Sequence, residues 1–105
     1  MLPFHDEAEA VALANNSKYG LGGAVWTTSV SRAHRVARDT RAGVFWVNTH
    51  HRNDPSAPWG GFKESGMGRE NGWESYREYT ETQTVVVGLS DTAEDWFGNP
   101  DARYS

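Results

Sequence analysis

An α/β fold is predicted for this chain, with parallel strands flanked by helices and a sheet left incomplete within these residues. Three observations predict it. Helical and strand-like segments alternate along the chain, the pattern of parallel sheets crossed by helices. The run "VFWV" at residues 44–47 is apolar at every position, as suits a strand buried on both faces. Two or three short strands beside three helices leave several faces uncovered, and the opening "MLPF" stands almost on the first helix, so a piece of something larger is expected.

The elements follow in order. Asp6 caps a first helix and Glu9 stands three residues on, as in a capping box. The run "EAEAVALANN" continues it, and residues 15–17 with Gly20 supply the stop. "GAVWTT", residues 23–28, reads as a short strand. Ser29 or Ser31 caps a second helix, "VSRAHRVARDTR", ended by Gly43. A strand over residues 44–48 comes at once, then a long loop over residues 49–69. "ENGWESYREY" is helical, and "TQTVVVG", residues 82–88, is the last strand. The tail, residues 89–105, is acidic and turn-rich, with Trp96 and Phe97 as its apolar anchors.

Composition narrows the function. A chain of 105 residues, 37% hydrophobic, holds one domain at most and a small core. A formal charge of −4 argues against nonspecific nucleic-acid binding. With no Cys there is no disulfide, no thiolate metal ligand and no Cys nucleophile in these residues. No apolar run reaches the length of a membrane span and no secretory pattern opens the chain, so a soluble cytoplasmic protein is expected.

The stretch "APWGGFKESGMGRE", residues 57–70, is unusual. It is no flexible linker, because Trp59, Phe62 and Met67 alternate with its glycines. Nor is it a phosphate cradle: Lys63 is not followed by a hydroxyl residue, and Asn71 stands where a dinucleotide fingerprint needs its third Gly. An ordered, closely packed loop remains, in which glycines allow tight turns or close backbone approach.

Three blocks, "EAVALANNSKYGLGGAVWT", "SRAHRVARDTRAGVFWVN" and "APWGGFKESGMGRENG…YTETQTV", resemble in order and spacing the C-terminal stretch of the NAD(P)-dependent aldehyde dehydrogenases. The resemblance covers nearly the whole chain before the tail. It implies that residues 1–81 are the C-terminal part of the catalytic domain, 82–88 an oligomerisation strand and 89–105 a tail. It also implies an aldehyde substrate, NAD or NADP as cofactor of the full-length enzyme, and a homo-oligomer formed through residues 82–88. In the family a Cys thiolate attacks the aldehyde, the thiohemiacetal yields hydride to the nicotinamide, and carboxylate-activated water releases the acid. The family's Cys, Glu base and nucleotide domain lie upstream of the matched blocks. These residues alone are therefore expected to bind no cofactor, to contain no catalytic residue and to be inactive. An alternative is a non-catalytic binding or interaction module derived from the same fold.

What the resemblance places here is a wall of the aldehyde channel: His51, Asn53 and Trp59. Trp at this position resembles the betaine-aldehyde type, since an indole face attracts a quaternary ammonium by about 1–2 kcal/mol when desolvated. Arg69 and Glu81 are implied in a charged network near the subunit interface. Other clusters have plainer readings. Adjacent residues of an extended chain point opposite ways, so His50, His51 and Asp54 are loop polar residues and no metal site is expected. Arg32, Arg35, Arg38 and Arg41 spread over a solvated face, and Glu70, Glu74 and Glu78 are solvated charges on the third helix.

Overall fold

The computed structural model describes residues 1–89, 91, 92 and 98. Its elements are α1 (Glu7–Asn15), β1 (Tyr19–Gly20), β2 (Gly22–Val25), α2 (Val30–Asp39), β3 (Val44–Val47), β4 (Phe62–Lys63) and α3 (Gly72–Glu78). β2 and β3 pair in parallel, with Gly22 opposite Val44 and Val25 opposite Val47. β1 and β4 form a separate antiparallel pair. The α/β architecture stands, and its sheets are not closed.

Both helix starts follow from the side chains at the caps. Asp6 accepts from the Glu9 N–H at 2.8 Å, and Ser29, rather than Ser31, accepts from the Arg32 N–H at 3.3 Å. Glu9 does not complete the expected box; its carboxylate instead accepts from the His5 N–H at 2.7 Å. α1 stops at Asn15 with Asn16 as its cap, within the expected stop over residues 15–17. α2 ends earlier than expected, at Asp39, where Thr40 turns extended before Gly43. Gly20 and Gly43 serve close approach. A Cβ on Gly20 would stand 2.5 Å from the Arg41 carbonyl oxygen, and one on Gly43 only 1.8 Å from that of Gly60.

Asn15 ties α1 to the end of α2, donating to the Asp39 carbonyl at 2.8 Å and accepting from the Arg41 N–H at 2.7 Å. Lys63 of β4 donates to the Asn15 and Ser17 carbonyls, both at 3.0 Å, which places a cation at the C-terminal end of α1. The arginines of α2 are exposed, as their spacing implied, and two of them also reach the neighbouring helix. Arg35 grips the Glu7 carboxylate with two hydrogen bonds of 2.9 Å and Arg32 adds one of 3.1 Å, fastening α2 to α1. The Arg35 hydrogen bonds hold the Glu7 carboxyl below its ordinary range. Arg38 pairs with Asp39, and Arg41 lies beyond the helix, its guanidinium 5.8 Å from the Phe62 ring.

Alternation along β3 sends Phe45 and Val47 to the helix side of the parallel pair and Trp46 to the other. The glycines of β2 make room across the register: a Cβ on Gly22 would sit 2.7 Å from the Trp46 ring, and one on Gly23 2.9 Å from that of Phe45. Ala33 and Trp46 are the buried hydrophobic residues among those described. Large apolar side chains stand exposed around them, including Phe4, Leu21, Trp26 and Trp73.

Three expectations are corrected. The strand expected over residues 23–28 is Gly22–Val25, because Asn48 turns the chain away and fills the place of further ladder partners. The loop over residues 49–69 contains β4, which pairs with β1 too briefly to show as a hydrophobic pattern. The third helix begins at Gly72, not Glu70: Asn71 and Gly72 are left-handed, and Glu70 pairs instead with Trp59 through two backbone hydrogen bonds of 2.7 Å. Glu70 is therefore not on the helix with Glu74 and Glu78. Among the described residues, 82–88 form no ladder, and Val85, Val86 and Val87 are exposed. A strand is stable only when paired, and no described edge pairs with these residues. The anchors expected at Trp96 and Phe97 lie outside the described residues.

Candidate functional site

The C-terminal end of β3 is the natural place for a ligand, because open α/β sheets bind at the carboxyl ends of their strands. The chain leaves β3 through Asn48, which adopts φ 55°. Its backbone N–H still donates to the Val25 carbonyl at 2.8 Å. Its side chain accepts from the Thr27 N–H at 2.8 Å and donates to the Thr27 carbonyl at 2.9 Å. One residue thus locks the ends of both parallel strands and aims the following loop.

That loop folds back over Trp46. The indole N–H of Trp46 donates to the Arg52 carbonyl at 2.8 Å, so the ring and the loop fix each other. His50 meets Trp46 edge-on at 5.0 Å between centroids, His51 lies tilted by 31° at 5.8 Å, and Trp59 stands at 5.9 Å. The two imidazoles are 4.5 Å apart. Neighbours in an extended chain would point apart, but His51 is left-handed at φ 57°, which brings the two rings to the same side. That corrects the geometry expected for this pair. Among the described residues no group of three His, Cys, Asp or Glu side chains is placed to hold a metal ion.

Two of the three expected wall residues, His51 and Trp59, therefore meet at Trp46. Asn53 stands exposed, its side chain without a hydrogen bond among the described residues. Next to it, Asp54 accepts from the Ser56 N–H at 2.9 Å and hydroxyl at 2.7 Å, which hold its carboxyl below the ordinary range and close the turn. The residues passed over in the sequence are His50, Trp46 and Asn48. A strand reading of "VFWV" made Trp46 a core residue, and nothing in the pattern told that its ring would be the floor of a cluster.

The glycine-rich stretch supports Trp59 from behind. Gly60 passes so close to Gly68 and Arg69, and Gly61 to Ser65, that neither can carry a side chain. The Ser65 hydroxyl accepts from the Gly20 N–H at 3.0 Å. Arg69 donates to the carbonyls of Gly61 at 3.0 Å and Gly68 at 2.6 Å and lies 5.4 Å from the Phe62 centroid. Within one chain Arg69 makes no ion pair with Glu81 among the described residues, because its donors are turned toward this loop. On the far side of Trp59 lies an open hollow of about 580 Å³, bordered by Met67, Arg69, Glu70, Glu78 and Tyr79. Trp59 lines it, whereas His51 and Asn53 do not.

Among the described residues, the turn from β2 into α2 is Trp-Thr-Thr-Ser, without the glycines that let backbone approach a pyrophosphate, so this turn does not fit the pyrophosphate of NAD or NADP.

The model of the aldehyde dehydrogenase family matches residues 1–85. Phenylacetaldehyde dehydrogenase of Pseudomonas fluorescens is 49% identical over 85 residues, 81% of this chain and 17% of that protein. Betaine aldehyde dehydrogenase of Vibrio vulnificus (strain YJ016) is 47% identical over 89 residues, 85% of this chain and 18% of that protein. The crystal structure of betaine aldehyde dehydrogenase from Staphylococcus aureus in complex with NAD+ matches with a TM-score of 0.84 at 41% identity, covering 91% of this chain and 19% of that one. The chain thus spans less than a fifth of the length of these relatives. With three blocks, the strand–helix order and the folded shape in agreement, the chain belongs to the aldehyde dehydrogenase family.

Proposed function

We propose that this chain is the C-terminal portion of an NAD(P)-dependent aldehyde dehydrogenase, in which it supplies a wall of the aldehyde channel and a subunit contact. The ring cluster at the end of β3 supports the first role. His51 and Trp59 are held on Trp46 and are oriented before substrate arrives, the arrangement that lets a wall position an aldehyde and exclude water. The reaction converts aldehyde and water to carboxylate, with NAD(P)+ accepting the hydride. The thiolate and the cofactor site belong to other parts of the enzyme, because this chain has no Cys and no cradle.

The exposed apolar side chains support a chain that docks rather than stands alone. A self-sufficient module needs its own core, and the buried hydrophobics among the described residues are Ala33 and Trp46. Relatives named for an aryl aldehyde and for a quaternary ammonium aldehyde match at 49% and 47%, so identity does not choose between them.

In the full-length enzyme, Trp59→Ala is expected to lower kcat/KM by an amount that depends on the aldehyde, about 1–3 kcal/mol where an aromatic contact is lost. Steady-state kinetics on a panel of aldehydes checks this; an equal loss on every substrate would assign Trp59 to packing alone.

Residues 82–88 support the second role. Val86 is 88% exposed in a β-forming run without a ladder, an edge that proteins normally cover. The isolated chain is expected to self-associate through this run. Val86→Pro removes a ladder donor and should weaken the association. Light scattering on both versions decides it, and a wild-type chain that stays monomeric at high concentration would overturn the contact.

A further inference from the structure

We propose that Asn71–Gly72 is a site of spontaneous covalent modification, at which the Asn71 amide is lost through a cyclic imide and the backbone support of Trp59 is loosened. Six asparagines occur in the chain, and only Asn71 is followed by Gly. The imide forms when the next backbone nitrogen reaches the side-chain carbonyl carbon, and glycine has no Cβ to crowd that approach. The fold requires both residues for backbone reasons. Asn71 and Gly72 are left-handed, each at φ 60°. Glycine occupies that region freely and Asn enters it more readily than most residues. A Cβ on Gly72 would also stand 2.9 Å from the Ser56 carbonyl oxygen. The turn into α3 demands this glycine, and the labile pair comes with it.

The other asparagines are placed differently. The amides of Asn15 and Asn48 are bound to backbone groups. Asn16 and Asn53 precede Ser17 and Asp54, whose side chains crowd the attacking nitrogen, and Asn99 precedes Pro100, whose nitrogen carries no hydrogen. Asn71 is exposed and its side chain caps nothing. One bond opposes the attack: the Gly72 N–H donates to the Pro55 carbonyl at 3.2 Å, the long end of the N–H···O range. α3 has seven residues and buries none of them, so opening its first turn gives up little packing.

The step balances with water as its sole co-reactant. The Gly72 nitrogen bonds to Asn71 Cγ, the Cγ–Nδ2 bond breaks, and the displaced nitrogen leaves as ammonia with the hydrogen that Gly72 gives up. Water then opens one of the two imide C–N bonds. Opening at Cγ gives aspartate, and opening at the former peptide carbonyl gives isoaspartate, whose main chain runs through Cβ and Cγ. Isoaspartate lengthens the backbone directly after Glu70, which pairs with Trp59 through two hydrogen bonds of 2.7 Å. Aspartate adds a carboxylate to the hollow bordered by Glu70 and Glu78, where Arg69 is the cation. That cation otherwise holds the Gly61 and Gly68 carbonyls of the Trp59 loop. Each product therefore acts on the backbone behind Trp59.

The test incubates the folded full-length enzyme that contains this chain in mildly alkaline buffer and maps its peptides by mass spectrometry. Asn71 is expected to show the mass gain of amide-to-carboxyl exchange several-fold faster than Asn16 or Asn53. An isoaspartyl methyltransferase should label the same peptide. Asn71→Gln should abolish both signals there, because its larger imide ring closes far more slowly. Hydrogen exchange at the Trp59 and Glu70 amides should quicken in the aged wild type and stay slow in aged Asn71→Gln. If that variant folds poorly, the comparison of three asparagines in the wild type, with exchange before and after ageing, still decides the matter. Conversion no faster than at Asn16, or conversion only after denaturation, would refute the site. Unchanged exchange at Trp59 and Glu70 in converted enzyme would refute the loosening. None of these readouts needs turnover, so their failure is distinct from failure of the channel reading.

Discussion

Purified alone, the 105-residue chain is expected to form no NADH or NADPH from any aldehyde, and to give no binding heat with NAD or NADP. The effect is total because the missing parts are chemical. Oxidation of an aldehyde needs a nucleophile that makes the carbonyl carbon tetrahedral, so that hydride can leave. The thiolate is absent, as the chain has no Cys. The described turns do not cradle a pyrophosphate, and the strand-to-helix turn carries Thr27 and Thr28 where glycines are required. A wall of the proposed kind would orient an aldehyde without activating it, and positioning without a nucleophile yields no acyl intermediate. Absorbance of the reduced cofactor, read against a heat-killed control over a panel of aldehydes, checks the outcome. Turnover above that control would require a nucleophile in these residues and would refute the reading.

Gly43→Ala is the second large effect, and its cause is steric. The chain enters β3 at Gly43, whose N–H donates to the Gly20 carbonyl at 3.0 Å. Directly across lies the backbone of the glycine pair after Trp59. A Cβ on Gly43 would stand 1.8 Å from the Gly60 oxygen, 2.8 Å from the Gly60 carbonyl carbon and 3.1 Å from the Gly61 Cα. All three are backbone atoms, so no side chain can rotate aside. The β3 entry and the Trp59 loop must move apart, and Trp59 leaves Trp46. In the full-length enzyme the substitution should cost more than about 4 kcal/mol, in the range of severe strain in packed structure. The denaturation midpoint measures it. Gly66→Ala is the control, because its φ of 117° is strained for alanine but nothing lies within 4 Å of the added atom. It should cost only about 1–2 kcal/mol, the usual penalty for a left-handed residue. Equal losses in the two variants would mean that crowding at Gly43 is not what fixes the loop.

Much of this architecture is legible in the residues because it is local. Asp6 and Ser29 announce helices through caps that act over three residues. The run at 44–47 announces a strand through its own composition, and the three blocks announce the family through spacing. The second strand pair is not legible in this way. β1 and β4 are two residues each and 42 residues apart at the Gly20–Phe62 pair, and they are held by contacts as distant in sequence, such as the Gly20 N–H on the Ser65 hydroxyl. The spacing of the arginines on α2 gives their exposed face but not the partner of Arg32 and Arg35, since Glu7 is on another helix.

The site divides the same way. By itself the sequence determined that a Trp follows the rigid Pro58 and precedes two glycines, and its family resemblance implied a channel role for His51, Asn53 and Trp59. Only the tertiary structure decided what they touch. Asn48 and His51 adopt left-handed backbone that residue type permits but does not impose, and this turn reverses the outward alternation assumed for the two histidines. Trp46 then becomes the common neighbour, fixed by the Arg52 carbonyl six residues later. Glycine's reach shows the same split. The sequence told that residues 60 and 61 could approach other backbone closely, whereas the fold decided that Gly43, read there only as a helix end, is what comes against them, because a glycine allows backbone contact and only packing chooses the backbone it meets.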